Sequence, residues 1–100
     1  MGKSFCNLLY HIVFSTKERR SWLAPEIRGR VHEYLGGGIN GEGGIPLFIN
    51  GIDDHVHVFA KLRQDKAVSD VIRNIKANSS GWIHRTFQDL AAFAWQEEFG

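Results

Sequence analysis

The segment Asp53-Asp54-His55-Val56-His57-Val58-Phe59 sets two histidines two residues apart in a β-forming stretch. On a strand, side chains alternate between faces, so both imidazoles leave the same face with Cα atoms roughly 6–7 Å apart. That spacing can bracket one divalent ion. Two imidazoles fill only part of a coordination shell, so a third ligand from elsewhere in the fold, or from a second chain, must complete it and leave positions for substrate oxygens. The same alternation also describes a half-exposed strand with its polar residues in water, and the residues by themselves leave both readings open. The first strand carries a matching polar face of Asn7, His11 and Ser15. His11 by itself reads as a half-buried histidine beside a neutral partner.

Other chemistry is scarce. Tyr10 falls on the apolar face of its strand and Tyr34 on the apolar stripe of a helix, and both positions fit core packing better than nucleophilic work. Residues 36–41 match the pattern GxGxxG, but the match follows a helix and precedes a strand, the reverse of what a dinucleotide site needs. No Lys-Ser or Lys-Thr follows it, so a phosphate-cradling P-loop is excluded, and a nucleotide cofactor is not expected.

The elements that position these groups are legible from periodicity. Phe5–Phe14 alternates as a strand, with Cys6, Leu8, Tyr10, Ile12 and Phe14 on one apolar face. Pro25 suits the first turn of a helix in which Ile27, Val31, Tyr34 and Leu35 recur at helical spacing. Gly36-Gly37-Gly38 is expected to stop that helix and to begin a flexible connection through Gly44. Ile45–Ile49 and Ile52–Leu62 read as two strands around an Asn50-Gly51 hairpin turn, which Asp53-Asp54 can shift. A second helix is expected from about Ala67 to about Phe87, with Val68, Val71, Ile72, Ile75 and Ile83 inward, and a last strand from Ala92 to Phe99. The order strand, helix, strand, strand, helix, strand is that of a ferredoxin-like split βαβ, an α+β fold with an antiparallel sheet and two helices on one face. There the first and third strands are neighbours, which would gather Asn7, His11, Ser15, His55, His57 and Lys61 into one patch on the open face.

One hundred residues with 43% hydrophobic and 23% charged side chains suffice for one core, so residues 1–100 are expected to form a single domain. No apolar run approaches the roughly 20 residues of a membrane span, and the N-terminal residues do not read as a secretory signal, which points to the cytoplasm. Cys6 is the only cysteine, so no internal disulfide is possible and no cysteine cluster can hold zinc. The net charge of +1 conceals two basic blocks. Residues 1–30 hold six basic and two acidic groups, residues 31–60 none and four, and residues 61–90 six and three. Such blocks suit either solvated helix faces or a phosphate-contacting surface.

Taken together, Tyr10-His11-Ile12-Val13-Phe14-Ser15-Thr16-Lys17, Asp54-His55-Val56-His57, Ser69-Asp70-Val71-Ile72-Arg73 through Lys76 to Ser79-Ser80-Gly81-Trp82-Ile83, and Phe93-Ala94-Trp95-Gln96-Glu97 resemble the single-tyrosine HUH transposases of the insertion-sequence-200-like group, which include the REP-associated tyrosine transposases. The four motifs occur in the family's order over nearly the whole chain. The resemblance implies a ferredoxin-like homodimer that binds single-stranded DNA beside a hairpin. It further implies cleavage and joining through a 5′-phosphotyrosine with Mg2+ or Mn2+, with His55 and His57 as metal ligands. The family's glutamine ligand and its nucleophilic tyrosine lie on a helix beyond the last strand, and this sequence ends at Gly100, before that helix. No catalytic residue is therefore assigned among residues 1–100, and Gln96, in the strand motif, does not inherit the ligand's role.

Lys17, Arg19, Arg20, Arg73, Lys76 and Arg85 are the candidate DNA contacts, with Trp22 or Trp82 as stacking groups. The alternative is a non-catalytic, hairpin-binding regulatory remnant of such a transposase. An unrelated small phosphoesterase is a weaker third reading, since histidine-triad hydrolases want a further histidine where this chain has Phe59.

Overall fold

A computed structural model describes residues 7–97, and the remaining residues, including Cys6 and the end of the expected last strand, lie outside that range. In chain order the elements are β1 (Asn7–Ser15), α1 (Pro25–Gly41), β2 (Ile45–Gly51), β3 (His55–Arg63) and α2 (Val68–Thr86), with short 3-10 turns at Lys17–Arg19 and Gln88–Leu90. The strands form an antiparallel sheet in the order β1-β3-β2, with both helices on one face. This is the expected ferredoxin-like arrangement. Its sixth element is reduced, among the described residues, to one antiparallel bridge between Thr16 and Trp95, beside the end of β1.

Alternation decides which side chains meet the helices. Ile12 and Phe14 of β1 and Val56, Val58, Ala60 and Leu62 of β3 are buried against Val31, Leu35 and Ile39 of α1 and Val71, Ile75 and Ile83 of α2. Tyr10 packs against the same core, as its strand position requires. Tyr34 stacks on Trp82, with ring centroids 4.5 Å apart. No helix among the described residues is long and apolar enough to cross a membrane.

Three boundaries differ from the sequence expectation. The glycines at 36–38 do not end α1, because Ile39 completes a buried i, i+4 stripe with Val31 and Leu35 and tertiary packing outweighs weak local propensity. The stop comes at Gly43, whose φ of +85° is the left-handed conformation that closes a helix end, and the Gly43 and Gly44 amides return to the carbonyls of Asn40 and Ile39 at 2.9 Å. The expected flexible connection is therefore mostly helix. Asn50 and Gly51 belong to β2 rather than to the hairpin turn, which lies at Ile52-Asp53-Asp54. Gly51 is pressed against β3, where a Cβ would meet the His55 carbonyl oxygen at 2.3 Å. Third, the last strand extends no further than the Trp95 bridge among the described residues.

The permissive glycines offer a simple test of this geometry. Gly37 is helical, exposed and has open space where a Cβ would lie. Gly37→Ala should stabilise the chain by about 0.5–1 kcal/mol, since it reduces the freedom of the unfolded state without a steric cost. Urea unfolding checks this, and a loss of stability would mean that residues 36–38 are not helical.

Candidate metal and nucleic-acid site

The open face of the sheet carries His11, Val13 and Ser15 from β1 opposite Phe59, His57 and His55 from β3. The neighbouring strands thus bring His11, His55 and His57 together as anticipated, with Ser15 directly across from His55 and Lys61 farther along β3. The side chain of Asn7 lies outside the described residues. His11 departs from its expected setting: it is exposed, and it is held by its neighbours rather than by burial. Its ring stacks on Phe59 at 4.3 Å, nearly parallel at 8°, and its Nε2 lies 2.8 Å from His57 Nδ1. The His55 and His57 rings stand edge to face, 4.8 Å apart.

His55 is fixed from the other side. Its Nδ1 lies 2.8 Å from Asp54 Oδ1, and because a carboxylate only accepts, His55 donates Nδ1–H, so that the neutral ring has its lone pair on Nε2. The hydrogen bond from His55 holds the Asp54 carboxyl below the usual carboxylate range, against the opposing effect of desolvation, and Arg19 adds in the same direction. Arg19 Nε reaches Asp54 Oδ2 at 3.3 Å, so Arg19, Asp54 and His55 form one chain of contacts. Desolvation, followed by the charges of His55 and His11, holds His57 below the usual imidazole range. A group that resists protonation is a better ligand near neutral pH.

These features fit a divalent ion in part. Both Nδ1 atoms are engaged, and among the described residues neither Nε2 has a hydrogen-bond partner, the arrangement by which outer groups orient metal-binding histidines. The described residues contain no trio of His, Cys, Asp or Glu placed to hold an ion, and His11 turns its Nε2 into His57. His55 and His57 can supply two ligands, and the rest of the shell has to come from other groups.

The basic residues divide into those that pack and those that face outward. Arg28 donates to the Leu23 carbonyl at 3.1 and 2.9 Å, and the Arg30 guanidinium lies 5.1 Å from the Phe87 ring centroid. Lys66 pairs with Glu42, and Arg63 with Asp65. Lys17, Arg19 and Arg20 form a loop in which Glu18 and Arg19 hold positive φ, 59° and 55°, a conformation that costs a non-glycine residue about 1–3 kcal/mol and tends to collect at functional sites. The loop is pinned by buried Thr16, whose hydroxyl donates to the Arg20 carbonyl at 2.7 Å, and by the Gln96 side-chain carbonyl, which accepts from the Glu18 amide at 3.2 Å. Gln96 is thus occupied in holding this loop.

Arg73 and Lys76 share one face of α2 and line a cleft of about 500 Å³ with Trp95 and Gln96. Arg73 is ion-paired with Asp70, and Lys76 donates to the Gln96 carbonyl at 2.6 Å. The cleft lies on the helix side of the sheet and the histidines on the other. The Lys17–Arg20 loop touches both settings, through Asp54 and through the Lys17 amide, which donates to Ala94 at 2.9 Å. Arg85 is exposed near the end of α2, nine residues and therefore roughly 13 Å along the helix from Lys76, outside this cluster. Neither tryptophan stands free as a stacking platform: Trp82 packs on Tyr34 and Phe87, and Trp22 sets its edge against Phe93. Sequence reading assigns no site role to two contributors: Asp54, quoted there in the turn and in the histidine motif, and Phe59, the floor beneath His11.

A split βαβ sheet with paired histidines on its open face and a basic loop at its edge defines the class, a small α+β domain of ferredoxin-like topology. The sequence profile of the IS200-like transposases matches residues 4–100, and the chain belongs to that family. Its fold is similar to that of a candidate transposase from Deinococcus radiodurans R1, known from a crystal structure at 1.90 Å, with a TM-score of 0.88 and 19% identity over 98% of this chain and 80% of the other. None of the curated proteins matches the chain.

Proposed function

We propose that this chain binds single-stranded DNA beside a hairpin and, as a homodimer with Mg2+ or Mn2+, takes part in cutting and joining that strand through a 5′-phosphotyrosine. The observation that carries the reading is the His55–His57 pair, each ring fixed through Nδ1 and presenting an Nε2 that has no partner among the described residues, on the open face of a transposase-family fold. A bound divalent ion would polarise the scissile phosphate and offset its developing charge. The described residues bind and position: Asp54 orients His55, the Lys17–Arg20 loop and the Arg73–Lys76 face attract the phosphate backbone, and exposed Leu9, Val13, Ile45 and Phe48 supply apolar surface around the histidines for a second copy.

The packing of Tyr10 in the core and Tyr34 on Trp82 favours a second reading for the chain by itself, in which it binds the hairpin without supplying a nucleophile. In the regulatory form of that reading, His57→Ala leaves both metal and hairpin affinity untouched.

Exposed ion pairs such as Arg73–Asp70 are worth little, so a phosphate can replace the carboxylate readily. Arg73→Ala combined with Lys76→Ala should weaken binding of a fluorescent DNA hairpin with a single-stranded flank. The slope of log affinity against log salt should fall by about 0.7–0.9 for each lost contact. An unchanged affinity and slope would remove this helix face from the DNA path.

A further inference from the structure

We infer that His11 is a positioning residue that selects the tautomer of His57, accepting a hydrogen bond from His57 Nδ1–H and thereby leaving the His57 Nε2 lone pair directed away from the contact. The contact itself is on the open face, His11 Nε2 to His57 Nδ1 at 2.8 Å. Between two neutral imidazoles one nitrogen of that contact carries the proton and the other accepts it, so the pair has two arrangements. If His11 donated, neutral His57 would carry its proton on Nε2 and could not ligate through it. If His57 donates, both histidines of the His-Val-His strand carry the proton on Nδ1 and the lone pair on Nε2, the state that Asp54 imposes on His55. His11 is able to act as the acceptor because the stack on Phe59, at 4.3 Å and 8°, fixes its ring plane, while its exposed position lets water satisfy its own Nδ1–H. Register explains the reach. His11 lies directly across from Phe59 and diagonally from His57, a separation that long side chains bridge on one sheet face.

The inference borrows its purpose from the metal reading proposed above, but the tautomer is observable without any metal. The test uses 15N-histidine-labelled protein at a pH of about 8, where imidazoles are neutral, and reads each ring's protonated nitrogen from long-range 1H–15N correlations. Wild type should show His57 protonated on Nδ1. His11→Phe keeps an aromatic ring for Phe59 but removes the acceptor, and should shift His57 toward the Nε2–H form. His11→Gln restores an acceptor and should return the Nδ1–H form. In parallel, Mn2+ affinity by isothermal titration should fall about 10- to 100-fold in His11→Phe and recover in His11→Gln. A wild-type His57 protonated on Nε2, or a His57 tautomer that is the same in wild type and His11→Phe, overturns the inference. The stated tautomer and its shift, with no Mn2+ bound by either protein, supports the positioning role and overturns the metal reading instead.

Discussion

Trp95→Ala should destabilise the chain by about 3–5 kcal/mol, the usual cost of truncating a buried aromatic to alanine. Trp95 is 4% exposed and packs against two buried rings, Phe93 with centroids 4.9 Å apart and Phe14 at 5.6 Å. Its indole N–H donates to Ser79 Oγ at 2.9 Å, and that hydroxyl in turn donates to the Ile75 carbonyl at 2.6 Å. The loss therefore falls on β1 and α2 together. For a domain of this size, whose total stability is on the order of 5–15 kcal/mol, the effect should lower the thermal midpoint by roughly 15 °C or more. Trp95→Phe retains most of the ring contact and gives up the hydrogen bond, so it should cost nearer to about 1 kcal/mol. Thermal and urea unfolding of the two variants compare these values. If Trp95→Ala cost less than about 1 kcal/mol, residues 93–96 would not be docked on the core as described.

The same substitution should reach the site. The Gln96 amide donates to the Ser15 carbonyl at 2.7 Å and the Lys17 amide to the Ala94 carbonyl at 2.9 Å, so the Trp95 segment braces the loop that carries Arg19 to Asp54.

His57→Ala should have its large effect on the ion rather than on folding. Removing one of two imidazole ligands is expected to lower Mn2+ affinity by at least about 100-fold, beyond what loss of an orienting partner does. Stability should change by no more than about 0.5 kcal/mol, because His57 is only half-buried on the open face and its ring supports no core residue. The pH dependence has a definite sign. His57 is held below the usual imidazole range by desolvation and by His55 and His11, so its proton should begin to displace the ion only below the pH at which an ordinary histidine would. Electron paramagnetic resonance of free Mn2+ reads the affinity of wild type and variant across this range. Equal affinity in both would take His57 out of the site.

How much of this was legible depends on the range over which each signal acts. The strand His55–Arg63 and the helix Val68–Thr86 were plain, because alternation and a repeating i, i+4 stripe are local consequences of burying one face. Their side assignments carried through to the shared face of His55 and His57 and to the pairing of the first and third strands. Helix α1 was cut short at Gly36 because glycine's weak propensity is visible in the sequence, whereas the buried site that receives Ile39 is made by α2 and the sheet. The contact of His11 with His57 depends on a diagonal in the β1–β3 register, which alternation leaves undetermined. Arg19 reaches Asp54 from a loop with two consecutive residues in the left-handed region, and nothing in Lys17-Glu18-Arg19-Arg20 announces that backbone. Asp54 did carry a signal, its position directly before His55, but Asp-Asp ahead of a strand reads first as a turn.

The most direct test of the whole account is fluorescence anisotropy with a labelled DNA hairpin bearing a single-stranded flank. It is competed against an unstructured strand and against a plain duplex at fixed salt, with and without Mg2+ or Mn2+. The flanked hairpin should bind at least about tenfold more tightly than either competitor, a difference of roughly 1.4 kcal/mol. Equal, weak binding to all three would contradict it.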